Sequence, residues 1–398
     1  MQPLNQKTVS ALALCLSTTL LAGCGGGGGG GQPQEPDQNA GNTNLPIVIL
    51  PGPIPPNSPT APTGDSYAMS LAMPPRQQWE VNWGYCGEVS FITAGLYYGQ
   101  YVSQYDARSA ATPGVAQSRV DSQLLIGVND LTAASNMHLN AVEWSSQASS
   151  SSTDQFLAWA KGYVLAGYPV IIGIYVNQFA PGTPAGSSEY DHIVPVNGIA
   201  SNHPLVPGLD QPYYADDVLQ FSDNSGYNHA DYPDLGDDPP LAYFLFQYGF
   251  DAFQRTRVAA NADDAPKYSL ASHVDGGTEN AGVAITGVID LDNETVPVRL
   301  ATDRNDESPP ITDGSNLRPP SEPLTLTATV FGLTAGASYK VYEYDSLAAI
   351  PNSAFNAHAS AAVKTFAFTA TDSTYVLPAM GILSNQVAAF RAVPASAP

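Results

Sequence analysis

The sequence predicts an α+β domain followed by an all-β sandwich, and three observations carry that expectation. Apolar residues at helical spacing concentrate in the first half, where strand-like runs begin only after position 169. Leu324, Leu326, Ala328 and Val330 alternate with Thr325, Thr327 and Thr329, a period of two that places every apolar side chain on one face of a strand. The composition, with 35 glycines, 34 prolines and only 13% charged residues in 398, is that of a turn-rich chain rather than a helical bundle.

The elements follow in order. From Cys86, the residues Val89, Ile92, Leu96 and Gly99 recur at helical spacing, flanked by Tyr97 and Val102. The turn Gly84-Tyr85-Cys86-Gly87 precedes that helix, so Cys86 is expected at or just before its first turn. A second helix is expected over 123–136. A third begins at Thr153 or Asp154 as cap, carries the stripe Phe156, Leu157, Ala160, Tyr163 and Val164, and ends at Gly167. Tyr168-Pro169 then opens a continuous apolar strand from Val170 to Val176, followed by strands His192 to Ile199 and Val218 to Phe221. Asn261 to Lys267 reads as a linker. Beyond it, Val283–Ile289, Thr295–Leu300, Tyr339–Tyr344, Lys364–Thr369 and Val387–Val393 add strands separated by Gly/Pro/Asn/Asp turns. The division expected is therefore a first domain over 65–256, a linker over 257–268 and a β-sandwich over 269–398. The segment Leu333-Thr334-Ala335-Gly336-Ala337-Ser338-Tyr339 resembles the turn-and-strand signature of fibronectin type III-like (Ig-like) domains.

The N-terminus carries an export signal. Lys7 supplies a basic start, and Ala11 to Leu21 form an apolar stretch too short to span a bilayer. It ends in Leu21-Ala22-Gly23-Cys24, which resembles the lipobox of bacterial-type lipoproteins. That resemblance implies a signal peptide with lipobox over 1–24 that is cleaved just before Cys24, acyl chains on Cys24, and a membrane-anchored protein at the outer membrane or cell surface. An uncleaved anchor helix fits poorly, because the apolar stretch is short and continues into glycine. Gly25 to Gly31 and the Pro/Asn/Gln-rich residues up to Gly64 read as a flexible tether over 25–64.

Charge and cysteine usage exclude several classes. With 14 basic against 36 acidic residues, the net charge of -22 opposes phosphate backbones and argues against nucleic-acid binding. No zinc signature and no phosphate-cradling glycine motif is present, so no cofactor and no metal is expected. Asp231, Asp234, Asp237, Asp238, Asp290 and Asp292 do not follow EF-hand spacing and read as solvated loop acids rather than calcium ligands. Of three cysteines, Cys15 leaves with the signal segment and Cys24 is lipidated. Cys86 then remains as a single thiol with no disulfide partner, which calls for a chemical reason.

The reason offered is nucleophilic catalysis. A thiol attacks as its thiolate, and a helix N-terminus beside an imidazolium lowers a cysteine's pKa from ~8.5 to roughly 3.5–7.5. The partner expected is His192, which begins the apolar segment Asp191-His192-Ile193-Val194-Pro195, where a core would not ordinarily place a histidine. Asp223 or Asn224, closing the strand Val218 to Phe221, would orient the imidazole; Asp223 could also stabilise its cation, whereas Asn224 could only orient it. His138, His203, His229, His273 and His358 show no neighbouring pattern and read as structural or exposed. Glu88 reads as a first-turn acid facing the helix dipole. Trp83 and Tyr85 either line a cleft or cover the helix.

The order Asn82-Trp83-Gly84-Tyr85-Cys86-Gly87, then the strand after Tyr168-Pro169, then His192, then Asp223, resembles the papain-like cysteine peptidase superfamily and is most similar to its peptidase C39-like branch. The resemblance covers about Ser66 to Phe250. It implies an α+β papain-like domain and a glutamine a few residues before the nucleophile that donates to the oxyanion. Gln77 and Gln78 lie further upstream than that pattern, and Asn82 sits four positions before Cys86, so Asn82 and Gln78 compete for the role. Pro195 implies an edge or bulge in the histidine strand. The stretch between Ile199 and Val218, with Asp210, Asp216 and Asp217, is extra to such a core.

The function expected is thus a lipid-anchored thiol hydrolase acting on a peptide or protein substrate. The alternatives are a non-catalytic surface binding protein on the same scaffold and an acyl transferase with the same triad. The sequence does not set the oligomeric state.

Overall fold

A computed structural model describes residues 67–79, 82, 84–144, 153–177, 189–224, 245–250, 268–270, 280–303 and 321–397. The chain is mixed α and β, with few helices and antiparallel strand pairing throughout. Cys24 of the expected lipobox, the tether expected over 25–64 and the acids Asp231, Asp234, Asp237 and Asp238 lie outside the described residues. Among the described residues no helix is long and apolar enough to cross a membrane.

Four helices are described: α1 (Cys86–Tyr97), α2 (Gln104–Ala111), α3 (Asp130–Asn136) and α4 (Thr153–Leu165). Helix α4 ends as its glycine implied. Gly167 has φ +90°, its N–H donates to the Val164 carbonyl, and Tyr168 N–H donates to the Tyr163 carbonyl, each at 2.9 Å. That reciprocal pair satisfies carbonyls that the last turn would leave unbonded. The helix expected over 123–136 is shorter, because side chains hold its first half as loop. Asn129 accepts from Leu125 N–H at 2.8 Å and donates to the Gln123 carbonyl at 2.9 Å, while Asp130 accepts from Gly127 N–H at 3.1 Å. Helix α2 was not foreseen, although Ser103 caps it by accepting from Asp106 N–H at 3.1 Å.

An eight-stranded sheet positions the site. Its path runs β3 (Leu139–Glu143), β9 (Gly282–Val288), β4 (Val170–Asn177), β5 (Glu189–Ser201), β6 (Val218–Ser222) and β7 (Leu245–Gly249). Strand β1 (Tyr67–Ser70) also pairs with β5, and β8 (Tyr268–Ser269) with β4. Pro195 sits one residue before a register shift between Val196 and Gly198, so the expected bulge lies beside it. Helix α4 packs its Phe156, Leu157, Ala160 and Val164 against Val170, Ile172, Val194, Val196 and Leu219 of this sheet.

Two four-stranded sheets complete the chain. One joins β10 (Val298–Thr302) and β11 (Pro323–Val330) with β14 (Tyr375–Val376) and β15 (Met380–Leu383). The other runs β13 (Lys364–Thr369), β12 (Ser338–Tyr344), β16 (Ala388–Pro394) and β2 (Gln100–Tyr101). Leu324, Leu326, Ala328 and Val330 of the first and Val341, Phe390 and Ala392 of the second share one core with Phe91, Ile92 and Leu96 of α1. In the turn before β12, Tyr339 accepts through its phenol oxygen from Thr334 N–H at 3.0 Å.

The domain boundary expected at 257–268 does not separate the sheets. Strand β9, expected in the sandwich, pairs with β4 through Val170↔Ala284 and with β3 through Leu139↔Val288. Strand β2, from the first half, pairs with β16 through Tyr101↔Ala388. A period of two identifies a strand, but its partner is set by non-local packing that the local pattern does not encode.

Candidate active site

The site forms where α1 begins against β5 and the end of β6. Cys86 is the first residue of α1, Tyr85 is its N-cap, and no side chain caps that end. The first N–H groups of an α-helix have no acceptor within the helix, so the chain at Cys86 presents backbone donors and the positive end of the helix dipole. Gly84 turns the chain into the helix with φ +85°. Gly87 is required for packing, because a Cβ there would run into the Leu124 carbonyl oxygen. Cys86 is partly exposed and forms no disulfide.

His192 is buried (2% exposed) and its Nε2 lies 3.0 Å from Asp223 Oδ1. Its other neighbour is Cys86, to which the ring is hydrogen-bonded. Burial alone would push the imidazole's pKa down. The Asp223 carboxylate, the hydrogen bond to it and the Cys86 sulfur together outweigh that and hold the ring up at about 10. The imidazolium is therefore the form this environment favours at neutral pH. The structure thus brings Cys86, His192 and Asp223 together, with the ring bonded to both the sulfur and the carboxylate.

Asn224, the alternative orienting residue, does something else. Its side-chain amide donates to the Cys86 carbonyl at 3.0 Å, to Ser90 Oγ at 2.9 Å and to the Ile193 carbonyl at 3.0 Å. It staples the first turn of α1 to the strand that carries His192. Adjacent residues on a chain leaving a strand point to opposite sides, which is why one of the pair reaches the ring and the other the helix. Ser90 adds to the staple, donating to the Cys86 carbonyl at 2.7 Å.

The two candidates for oxyanion donor are placed differently. Asn82, at φ +50°, directs its amide N–H to the Tyr85 phenol oxygen at 3.3 Å. That phenol is buried and donates to Gln117 Oε1 at 2.7 Å. Gln78 accepts through Oε1 from Tyr85 N–H at 2.9 Å, and its own backbone N–H donates to the Asn224 carbonyl at 2.7 Å. Gln78 is thus tied to the residue before Cys86 and to the residue after Asp223. Gln77 uses its backbone carbonyl to accept from Gln104 Nε2 at 2.9 Å.

Three neighbours decide an open alternative or add a contact that the sequence did not foresee. Glu88 is a first-turn acid, but it is buried and bonded to Arg108 Nε at 2.6 Å and to Leu124 N–H at 3.0 Å, so it faces an ion pair as well as the dipole. Tyr85 is buried edge-on against Trp79, with ring centroids 5.1 Å apart, and covers the helix rather than lining an open cleft. The stretch between β5 and β6 is bound to α4. Lys161 Nζ lies 2.6 Å from Asp217 Oδ2 with both side chains buried, and Gly162 leaves room for the Leu209 carbonyl. No spacing rule pairs residues 161 and 217; a lysine inside the apolar stripe of α4 was the available signal.

Of the remaining residues, His203 stacks on Tyr214 with centroids 3.7 Å apart and contacts Asp216, while His138 is partly buried and depressed by that burial and by the Arg391 charge. Asp290 closes its own turn by accepting from Thr295 N–H at 2.7 Å, and Asp292 holds a distant loop by accepting from Ala354 N–H at 2.8 Å. Trp83, His229 and His273 lie outside the described residues. Among the described residues no cluster of three His, Cys, Asp or Glu side chains could hold a metal ion. Comparison with protein-family models, curated proteins and solved structures returned no match.

Proposed function

We propose that this chain is an exported, lipid-anchored thiol hydrolase of papain-like type that cleaves peptide or related amide bonds. The observation that carries the reading is the buried His192 held between Cys86 and Asp223, with its charged form favoured. An imidazolium has no structural need to be buried beside a thiol, whereas an acyl-transfer site needs both. The papain-like domain is supported by the order of α1, β5 and β6 around the site. Two antiparallel sheets sharing one core after β9 support a sandwich-type C-terminal part. The lipobox-like Leu21-Ala22-Gly23-Cys24 supports export and a lipid anchor on Cys24.

In this reading the Cys86 thiolate attacks the carbonyl carbon. Gln78 Nε2–H and the Cys86 backbone N–H receive the oxyanion. His192 gives its proton to the departing amine, leaving a thioester on Cys86. A water then loses a proton to His192 and adds to the thioester carbon, releasing the acid and restoring thiolate and imidazolium. Asp223 keeps the ring oriented through both halves. Gln78 is preferred to Asn82 because its oxygen is held by the residue next to Cys86, while the Asn82 amide points to Tyr85.

The experiment compares the full chain with Cys86→Ala on a peptide mixture, reading new N-termini by mass spectrometry. Cleavage by the native chain that iodoacetamide blocks and Cys86→Ala lacks is the expected result. Identical product lists from both proteins would overturn the proposal.

A further inference from the structure

Arg108 of α2 is fully buried, and its guanidinium ties the loop that precedes Cys86 to Glu88 of α1, with a further bond from Nη1 to the Gln117 carbonyl at 3.3 Å. Nε donates to Glu88 at 2.6 Å, Nη1 to the Asn82 carbonyl at 2.7 Å, and Nη2 to the Gly84 carbonyl. The guanidinium also lies 3.6 Å from the centroid of the Tyr85 ring, which sets its plane. One of these bonds has a consequence beyond packing. The carbonyl of Gly84 and the N–H of Tyr85 belong to the same peptide group, and that N–H donates to Gln78 Oε1 at 2.9 Å. A continuous chain therefore runs from the Arg108 cation through one peptide group to the Gln78 side chain. A cation at the carbonyl end draws electron density along the peptide and strengthens its N–H as a donor. The same polarisation passes into the Gln78 amide and makes its Nε2–H a stronger donor. Glycine at position 84 is needed for this arrangement, since φ is +85° there and a Cβ would sit 3.3 Å from Gln78 Oε1.

The geometry points to Arg108 as a positioning residue for the oxyanion site, one that orients and polarises Gln78 through the Gly84–Tyr85 peptide group; this rests on the thiol-hydrolase reading. Lysine cannot replace it, because a single ammonium does not present the planar fork that reaches Glu88, Asn82 and Gly84 together.

The test uses two reactions of the same sulfur in the full chain, with Cys86→Ala subtracting any signal from Cys15 and Cys24. Acylation by p-nitrophenyl acetate passes through an oxyanion, whereas alkylation by iodoacetamide displaces iodide at a saturated carbon and forms none. Gln78→Ala is expected to slow acylation about 10²-fold, as loss of one oxyanion donor does, and to leave alkylation unchanged. Arg108→Lys is expected to slow acylation on the order of 10-fold with alkylation unchanged, and to add nothing in the Gln78→Ala background. Equal slowing of both reactions, or an effect that multiplies with Gln78→Ala, would overturn the assignment while leaving the thiol-hydrolase reading intact. A native Cys86 that p-nitrophenyl acetate does not acylate overturns both. Should Arg108→Lys fail to fold, the Tyr85 backbone N–H, the proton that this chain of bonds holds, carries the test in the native chain. A slowly exchanging, downfield NMR signal that moves upfield in Gln78→Ala is expected, and a rapidly exchanging one that Gln78→Ala leaves unmoved would refute the chain of bonds.

Discussion

Replacing Gly87 with alanine tests whether the helix that begins at Cys86 is seated as described. The added Cβ would overlap the Leu124 carbonyl oxygen. Neither side can retreat easily. Leu124 N–H is bonded to Glu88 one residue further along the same helix, and Glu88 is held at 2.6 Å by buried Arg108. Overpacking of this kind costs about 1–3 kcal/mol. Against it stands the helix propensity gained by replacing glycine with alanine, about 0.8–1.0 kcal/mol in a helix interior and less in a first turn. The clash wins, with a net loss of about 1–2 kcal/mol, which for a chain of this size lowers Tm by roughly 1–3 °C. Gly95 on the same helix is the control. A Cβ there meets Gln100 at 3.2 Å, a gap that closes with a few tenths of an ångström of movement. Clash and propensity then cancel to within about 0.5 kcal/mol. Calorimetry of the full chain at neutral pH reads both. A Gly87→Ala protein that melts at or above the native temperature, with Gly95→Ala below it, would refute the seating of α1.

Two further outcomes follow from the buried charges. Burial opposes the His192 cation, but Asp223 and Cys86 raise its pKa from 6.5 to about 10, so its contribution to stability is complete below about pH 6.5 and is lost as pH rises through about 10. Asp223→Asn should therefore cost about 1.5–3 kcal/mol near pH 6, the worth of a hydrogen bond to a charged group, and the gap to the native chain should close above pH 10. Urea unfolding of both proteins at pH 6, 8 and 10.5 measures it, and a gap that widens with pH contradicts the assignment. Lys161→Met strands the buried Asp217 carboxylate and should cost about 3–5 kcal/mol, much of it recovered when Asp217→Leu is added. Thermal melts in which the single variant matches the double would show that this pair is not buried as described.

Local chemistry made much of this protein legible from its sequence. Glycine at 167 announced the end of α4, alternation announced β11, and Cys86 and His192 stood out because each is an expensive residue in its local setting. Such signals depend on neighbours a few positions away. What the tertiary structure alone decided are pairings across long separations: β9 entering the larger sheet, β2 joining β16, Arg108 reaching Glu88 and Gly84, and Lys161 meeting Asp217. The choice between Asp223 and Asn224 also belongs here, since both residue types suit the role and only the direction each side chain takes on leaving β6 separates them. Residue type and spacing determine which groups can do chemistry. Which of them meet depends on how distant apolar faces pack, and no local window of sequence contains that information.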